Sequence, residues 1–161
     1  MTPGDDVREA EDPADRVQDM MEMIADAAGI DADVEISEDD DGLFAEYIGD
    51  DLGVLIGHHG QTIDAIQHLA YRIASRGREP RVSVLVDAAG YRERRAVTLR
   101  QAADQAAETA LREGRTVALE PMSALERKVI HEHLKDRHDL ETYSRGQEPA
   151  RHLVVAPLLE D

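Results

Sequence analysis

Apolar residues recur along this chain at two periods, and the switches between them mark out its elements. Val17, Met20, Met21, Ile24 and Ala28 return at helical spacing. Asp12 stands before them as an N-cap, Pro13 takes the first helical position, and Gly29 ends the run. Val34 and Ile36 then alternate with Glu35 and Ser37, which predicts a short strand. Glu38 to Gly42 is a turn, and Leu43 to Ile48, rich in β-formers, is a second strand paired with the first. Gly49, Gly53, Gly57 and Gly60 follow at close intervals. A long helix opens behind them on Ile63, Ile66, Leu69, Ala70 and Ile73, and Gly77 and Pro80 stop it. Val82, Val84 and Val86 form a third strand. The order is helix, strand, strand, short helix, glycine turn, helix, strand.

Gly90 marks a boundary. Beyond it an Ala-rich helix over 92–113 carries Val97, Leu99, Ala103, Ala106, Ala110 and Leu111 on its apolar positions, and Gly114 ends it. Thr116 to Leu119 reads as a short strand. Ser123-Ala124-Leu125-Glu126 is a capping box that starts a helix over 124–136. Thr142 to Ser144 and His152 to Ala156 read as strands joined by the turn Arg145-Gly146-Gln147-Glu148-Pro149. The chain is therefore expected to be α+β, with two small cores in series.

Charge changes the picture in two steps. The chain has 161 residues, with 35 acids against 18 Lys plus Arg, a net of −17. Taken whole, that argues against a protein that rests on phosphates, which need positive charge. Residues 1–50, however, hold 18 of the acids and only Arg8 and Arg16, a net of −16, while residues 51–161 are at −1 and hold all seven histidines. The acidity reads as solubility or as adaptation to salt, since the only lysines are Lys128 and Lys135. It leaves room for local basic patches in the second part. Aromatics are limited to Phe44, Tyr47, Tyr71, Tyr91 and Tyr143, which excludes a site built on stacked aromatic platforms. Without cysteine there are no disulfides, thiolate metal sites or cysteine nucleophiles. The N-terminus lacks a secretory signal and no segment is long and apolar enough to cross a membrane, so a soluble cytoplasmic protein is expected. Residues 1–12 are expected to form a disordered acidic tail.

The segment Ile56-Gly57-His58-His59-Gly60-Gln61-Thr62-Ile63 carries the most chemistry. Two glycines three apart allow a tight turn that another backbone can approach closely. The helix that starts at Gln61 aims its free N–H groups and positive dipole end at that turn, which makes an anion site by geometry. Ile56 and Ile63 anchor it to the core and are expected also to form the wall of a groove for bases. With the element order around it, Ile56-Gly57-x-x-Gly60-x-Thr62-Ile63-Asp64-Ala65-Ile66-Gln67 resembles a KH domain of the type II topology, αββααβ, over residues 13–89. The resemblance implies that the G-x-x-G loop clamps the backbone of about four nucleotides. KH loops usually carry Lys or Arg between the glycines, and here both positions are histidine, a residue with little charge at neutral pH. Either the loop binds through backbone N–H groups alone, or phosphate binding drives a histidine to its charged form.

On the predicted helix over 124–136, Arg127 and His131 share a face, Lys135 continues the line and Lys128 lies beside it. None of the residues three or four from Arg127 is acidic, so this face is expected either to seek an external anion or to pair with acids from another element. Arg127-x-x-x-His131, with the later Ser144-x-Gly146-x-Glu148-Pro149, resembles the R-three-H domain over residues 91–157, which implies binding of single-stranded nucleic acid. Arg145, Arg151 and His152 extend that face. Arg72 and Arg76, four apart on the long helix, belong either to it or to a solvated surface.

A KH domain followed directly by an R-three-H domain is similar to the bacterial Jag/KhpB family. That resemblance implies single-stranded RNA binding through Ile56, Gly57, His58, His59, Gly60, Gln61, Ile63, Arg127, Lys128, His131, Arg145 and Arg151, as an RNA chaperone or post-transcriptional regulator. It also implies pairing with a small single-KH partner of the KhpA type. Many members carry a further N-terminal domain, for which the short acidic lead is expected to leave no room. No catalytic residue, cofactor or metal site is expected. Ile48 stands where a calcium loop with Gly42 as its invariant glycine would need its bidentate glutamate. His131 and His133 face different sides of a helix and do not form H-E-x-x-H. Two competing readings are a metal-dependent nuclease or phosphoesterase that uses the histidines, and a protein-binding adaptor with a KH fold.

Overall fold

The structure is a computed structural model that describes residues 12–158. Apart from Asp12, the tail expected over residues 1–12 lies outside the described residues. The chain divides between Arg92 and Glu93 into two compact units.

In unit 1, Asp12 accepts a hydrogen bond from the Ala14 N–H and Pro13 opens α1 (Pro13–Ala27). Strands β1 (Asp33–Asp39) and β2 (Gly42–Ile48) pair antiparallel, with Ile36 opposite Ala45. The short α2 (Gly53–Ile56) leads through a 3-10 turn (His58–Gly60) into α3 (Gln61–Ala74). Strand β3 (Val84–Ala88) then adds parallel to β2, giving the sheet order β1-β2-β3. The parallel pairing requires the crossover that α2 and α3 supply. The element order αββααβ is the one expected. Val17, Met21, Tyr47, Leu55, Ile63 and Val86 fill the core at 0–1% exposure. Tyr47 satisfies its buried hydroxyl by donating to the Met21 carbonyl at 2.7 Å, and burial pushes its pKa up.

Unit 2 contains α4 (Tyr91–Glu113, from Glu93 onward), β4 (Val117–Ala118), α5 (Ala124–Leu134), β5 (Leu140–Arg145) and β6 (His152–Pro157). Its strands are all antiparallel in the order β4-β6-β5. Ala103, Ala106, Ala107 and Ala110 form the buried stripe of α4, and Ile130, Leu134, Leu153 and Val155 belong to the same core.

Three expectations shift. Val82 lies outside β3 because the Ser75 hydroxyl accepts its N–H and donates to its carbonyl. Leu69, Val97 and Leu111 are 40–49% exposed rather than core, each lying at the rim of its helix's buried stripe. Helix α5 stops at Leu134, two residues short of its expected end.

Candidate nucleic-acid interface

The glycine turn is set by what its residues lack. Gly57 adopts φ 75°, ψ 178°, a region open essentially to glycine alone. A Cβ there would lie 2.2 Å from the Thr62 Oγ1 and 2.8 Å from the Thr62 nitrogen. Gly60 is left-handed at φ 78°, and its Cβ would lie 2.7 Å from the Tyr91 ring. The turn thus folds back on the first turn of α3 on one side and packs against Tyr91 on the other. Between the glycines His59 is also left-handed, at φ 51°, ψ 31°. Histidine tolerates that region better than most side chains, at a cost of about 1–2 kcal/mol. Leu55 and Ile63, both within 1% of complete burial, bracket the turn and contribute about 2 kcal/mol each, enough to offset that strain.

Ile63 is therefore an anchor and not a groove wall: at 0% exposure it presents no surface to a base. Ile56 is half-buried against the same core, and Gln61 is exposed. The donors also differ from expectation. The Gly60 N–H bonds the Gly57 carbonyl and the Gln61 N–H bonds the His58 carbonyl. Among the described residues, the N–H groups of His58 and His59 have no backbone acceptor. Those two N–H groups are what the turn offers an anion. The histidine rings stack on each other at 3.9 Å between centroids.

One residue in this region was not signalled by the sequence reading. Arg92 donates from Nε to the Val86 carbonyl, from Nη1 to Asp64 and from Nη2 to Gln67, all at 2.8–2.9 Å. The Gln67 oxygen also accepts the Val86 N–H. Asp64 and Gln67, three apart on α3, are thus the receptor for a clasp that ties α3 to β3. The available signal was that pair of polar residues one turn apart on α3.

In unit 2 the capping box forms as expected between Ser123 and Glu126. Glu126 also takes Arg95 from α4 at 2.7 Å. Arg127, by contrast, is no unpaired cation. It is 8% exposed, with Nη1 donating to the Met122 carbonyl at 2.6 Å and to the Arg151 carbonyl at 3.4 Å. Its Nη2 pairs with Glu148 at 2.7 Å. Of the two expectations, an external anion or an acid from another element, the structure shows the second for Arg127: Glu148 arrives from a turn 21 residues later. Lys135 is likewise paired, with Glu132 at 2.9 Å, which holds the Glu132 carboxyl below and the Lys135 ammonium above their ordinary values.

What Arg127 does is fix the 145–152 turn against the start of α5. Around it His131 is exposed, with Nδ1 2.6 Å from the Thr142 hydroxyl. Lys128, Arg145 and Arg151 are exposed, and none has an ion pair within hydrogen-bonding distance among the described residues. These are the groups left to meet phosphate. Among the described residues no cluster of three or more His, Asp or Glu is arranged to hold a metal ion, and no helix is long and apolar enough to cross a membrane.

Comparison with known proteins falls on the same two regions. A family model described as the KhpA/KhpB KH domain matches residues 14–86, and one described as the R-three-H domain matches residues 97–157. RNA-binding protein KhpB of Clostridium symbiosum is 35% identical over 144 residues, covering 88% of this chain and 65% of that protein. The protein of the same name from Lactiplantibacillus plantarum is 43% identical over 104 residues, covering 65% and 32%. The chain spans less than two thirds of the length of these two relatives. The Bacillus subtilis protein is 34% identical over 147 residues, covering 90% of this chain and 71% of its own. With its two domains in that order and a relative matched along most of both chains, this chain belongs to the KhpB family.

Proposed function

We propose that the protein binds single-stranded RNA without catalysing a reaction, and acts on RNA as a chaperone or post-transcriptional regulator. The observation that carries this reading is the 57–60 turn. It sits in the fold expected of a KH domain, and two neighbouring N–H groups are left without backbone acceptors at its tip. Such donors suit one phosphate of a strand laid across the turn. Lys128, His131, Arg145 and Arg151 in unit 2 supply cationic or hydrogen-bonding contacts to further phosphates, and Arg127 holds their turn in place. Two weak sites on one chain reinforce each other through effective concentration. The relatives carry the name RNA-binding protein, in line with this reading. A small single-KH protein is the proposed partner, and the cytoplasm the proposed location.

The test is RNA affinity of His58→Asp with His59→Asp. Aspartate tolerates the left-handed conformation of residue 59, so the turn keeps its shape while gaining two charges that repel phosphate. Affinity is expected to fall at least about tenfold, with unchanged melting. Parent-like binding by this variant sinks the assignment. If the parent releases cleaved RNA with divalent metal, and His131→Ala stops it, the protein is instead a nuclease.

A further inference from the structure

At the far end of α3 from the glycine turn, unit 1 has an open hollow of about 620 Å³. Tyr71, Arg72, Arg76, Arg78, Glu79 and Arg81 are among the residues that line it. Four guanidinium groups therefore face one carboxylate, in a chain whose acids outnumber its bases by 35 to 18. Arg81 is held at the wall by donating to the Tyr71 hydroxyl at 3.1 Å. The side chains of Arg72, Arg76 and Arg78 have no hydrogen bond or ion pair with any described residue. Elsewhere many arginines are in ion pairs: Arg92 in unit 1, and Arg95, Arg100, Arg112, Arg115, Arg127 and Arg137 in unit 2. The dipole of α3 favours a cation in its last turn, which accounts for Arg72. It does not account for Arg78 and Arg81, which lie beyond the helix. Clustered like charges cost stability unless an anion joins them.

We propose that this hollow is a second phosphate site of unit 1, taking the backbone of the same RNA strand that the glycine turn holds. The inference rests on the RNA-binding reading given above. Guanidinium forks match phosphate oxygens two at a time, and the hollow is too open to enclose a free nucleotide. Helix α3 has 14 residues, so the two sites are separated by roughly 20 Å along its axis. A strand clamped over about four nucleotides at the turn must run several nucleotides further to reach the hollow.

Length dependence is therefore the test. The full chain and its Arg76→Gln, Arg78→Gln variant are titrated, over a range of salt, with single-stranded RNA of roughly five and roughly fifteen nucleotides. The variant is expected to bind the long RNA about tenfold more weakly, with a salt slope reduced by about 1.4, or ~0.7 for each arginine. The short RNA binds it as it binds the parent. Arg76→Lys, Arg78→Lys keeps most of the salt slope. Parent-like affinity for the long RNA overturns the proposal, and so does an equal loss on both lengths. If the parent binds neither RNA, the RNA-binding reading fails first and takes this inference with it.

Discussion

At residues 57–60 the chain turns because side chains are missing, whereas at residues 145–152 it turns around a buried guanidinium. The first turn relies on close approach: Gly57 lets Thr62 come near and Gly60 lets Tyr91 come near. The second relies on charge: Arg127 gathers two carbonyls and a carboxylate that would otherwise have no common partner. In both, the residues that shape the turn are not the ones it exposes. The glycines shape and His58 is presented; Arg127 shapes and Arg145, Arg151 and His131 are presented. Letters that make a motif recognisable can thus be structural, with the contact chemistry in the positions between or beside them.

That contrast breaks first at Gly57. Gly57→Ala puts a Cβ within 2.8 Å of the Thr62 backbone nitrogen, at a φ of 75°. A loss of about 2–4 kcal/mol is expected in unit 1 alone. Hydrogen exchange reads the two units separately, and parent-like protection of α3 would contradict the steric account.

Arg127→Ala comes next. It should lower the stability of unit 2 by about 1–3 kcal/mol, because two carbonyls lose their donor. RNA affinity falls with it, while the salt slope stays within about 0.3 of the parent's, since Glu148 and two carbonyls already take up its guanidinium. Arg127→Lys does not restore the turn, for an ammonium lacks the fork that reaches all three acceptors. A stable variant with a flattened salt slope would instead make Arg127 the phosphate contact that its helix spacing suggests. The combined change Lys128→Ala, Arg145→Ala, Arg151→Ala has the opposite signature. Its stability is unchanged and its salt slope falls by about 2, at ~0.7 per released counterion.

The smallest effect is on pH. Hydrogen bonds from Arg115, Lys135 and Arg137 hold the carboxyls of Glu113, Glu132 and Asp139 below their ordinary range. A carboxylate depressed in the folded state stabilises above its unfolded pKa, and that contribution fades as pH falls through the folded value. Melting of unit 2 should therefore weaken as pH drops from about 5 to 3, and Asp139→Asn should make the decline shallower. An identical decline in that variant would remove Asp139 from the account.

Most of the framework was legible because local signals carry it. Asp12-Pro13, the Ser123–Glu126 box and the two strand pairs depend on residues close in sequence, and each formed. The errors come from partners the local pattern does not contain. Val82 left its strand for the Ser75 side chain. Arg127 found Glu148 across a turn, and Arg92 found Asp64 and Gln67 on α3. Ile63 anchors the glycine segment as expected, yet spacing alone did not show that its complete burial leaves it no surface for a groove wall.

The Arg92 clasp bears on how the molecule can be dissected. Tyr91 and Arg92 are the first two residues of α4, but both serve unit 1. A fragment ended at Ala89 would keep every strand and helix of the αββααβ order. It would also leave Gly60 facing an empty space and Asp64 and Gln67 without their cation. Three added residues, Gly90, Tyr91 and Arg92, rather than any further element of secondary structure, separate a fragment that should hold its turn from one that should fray there.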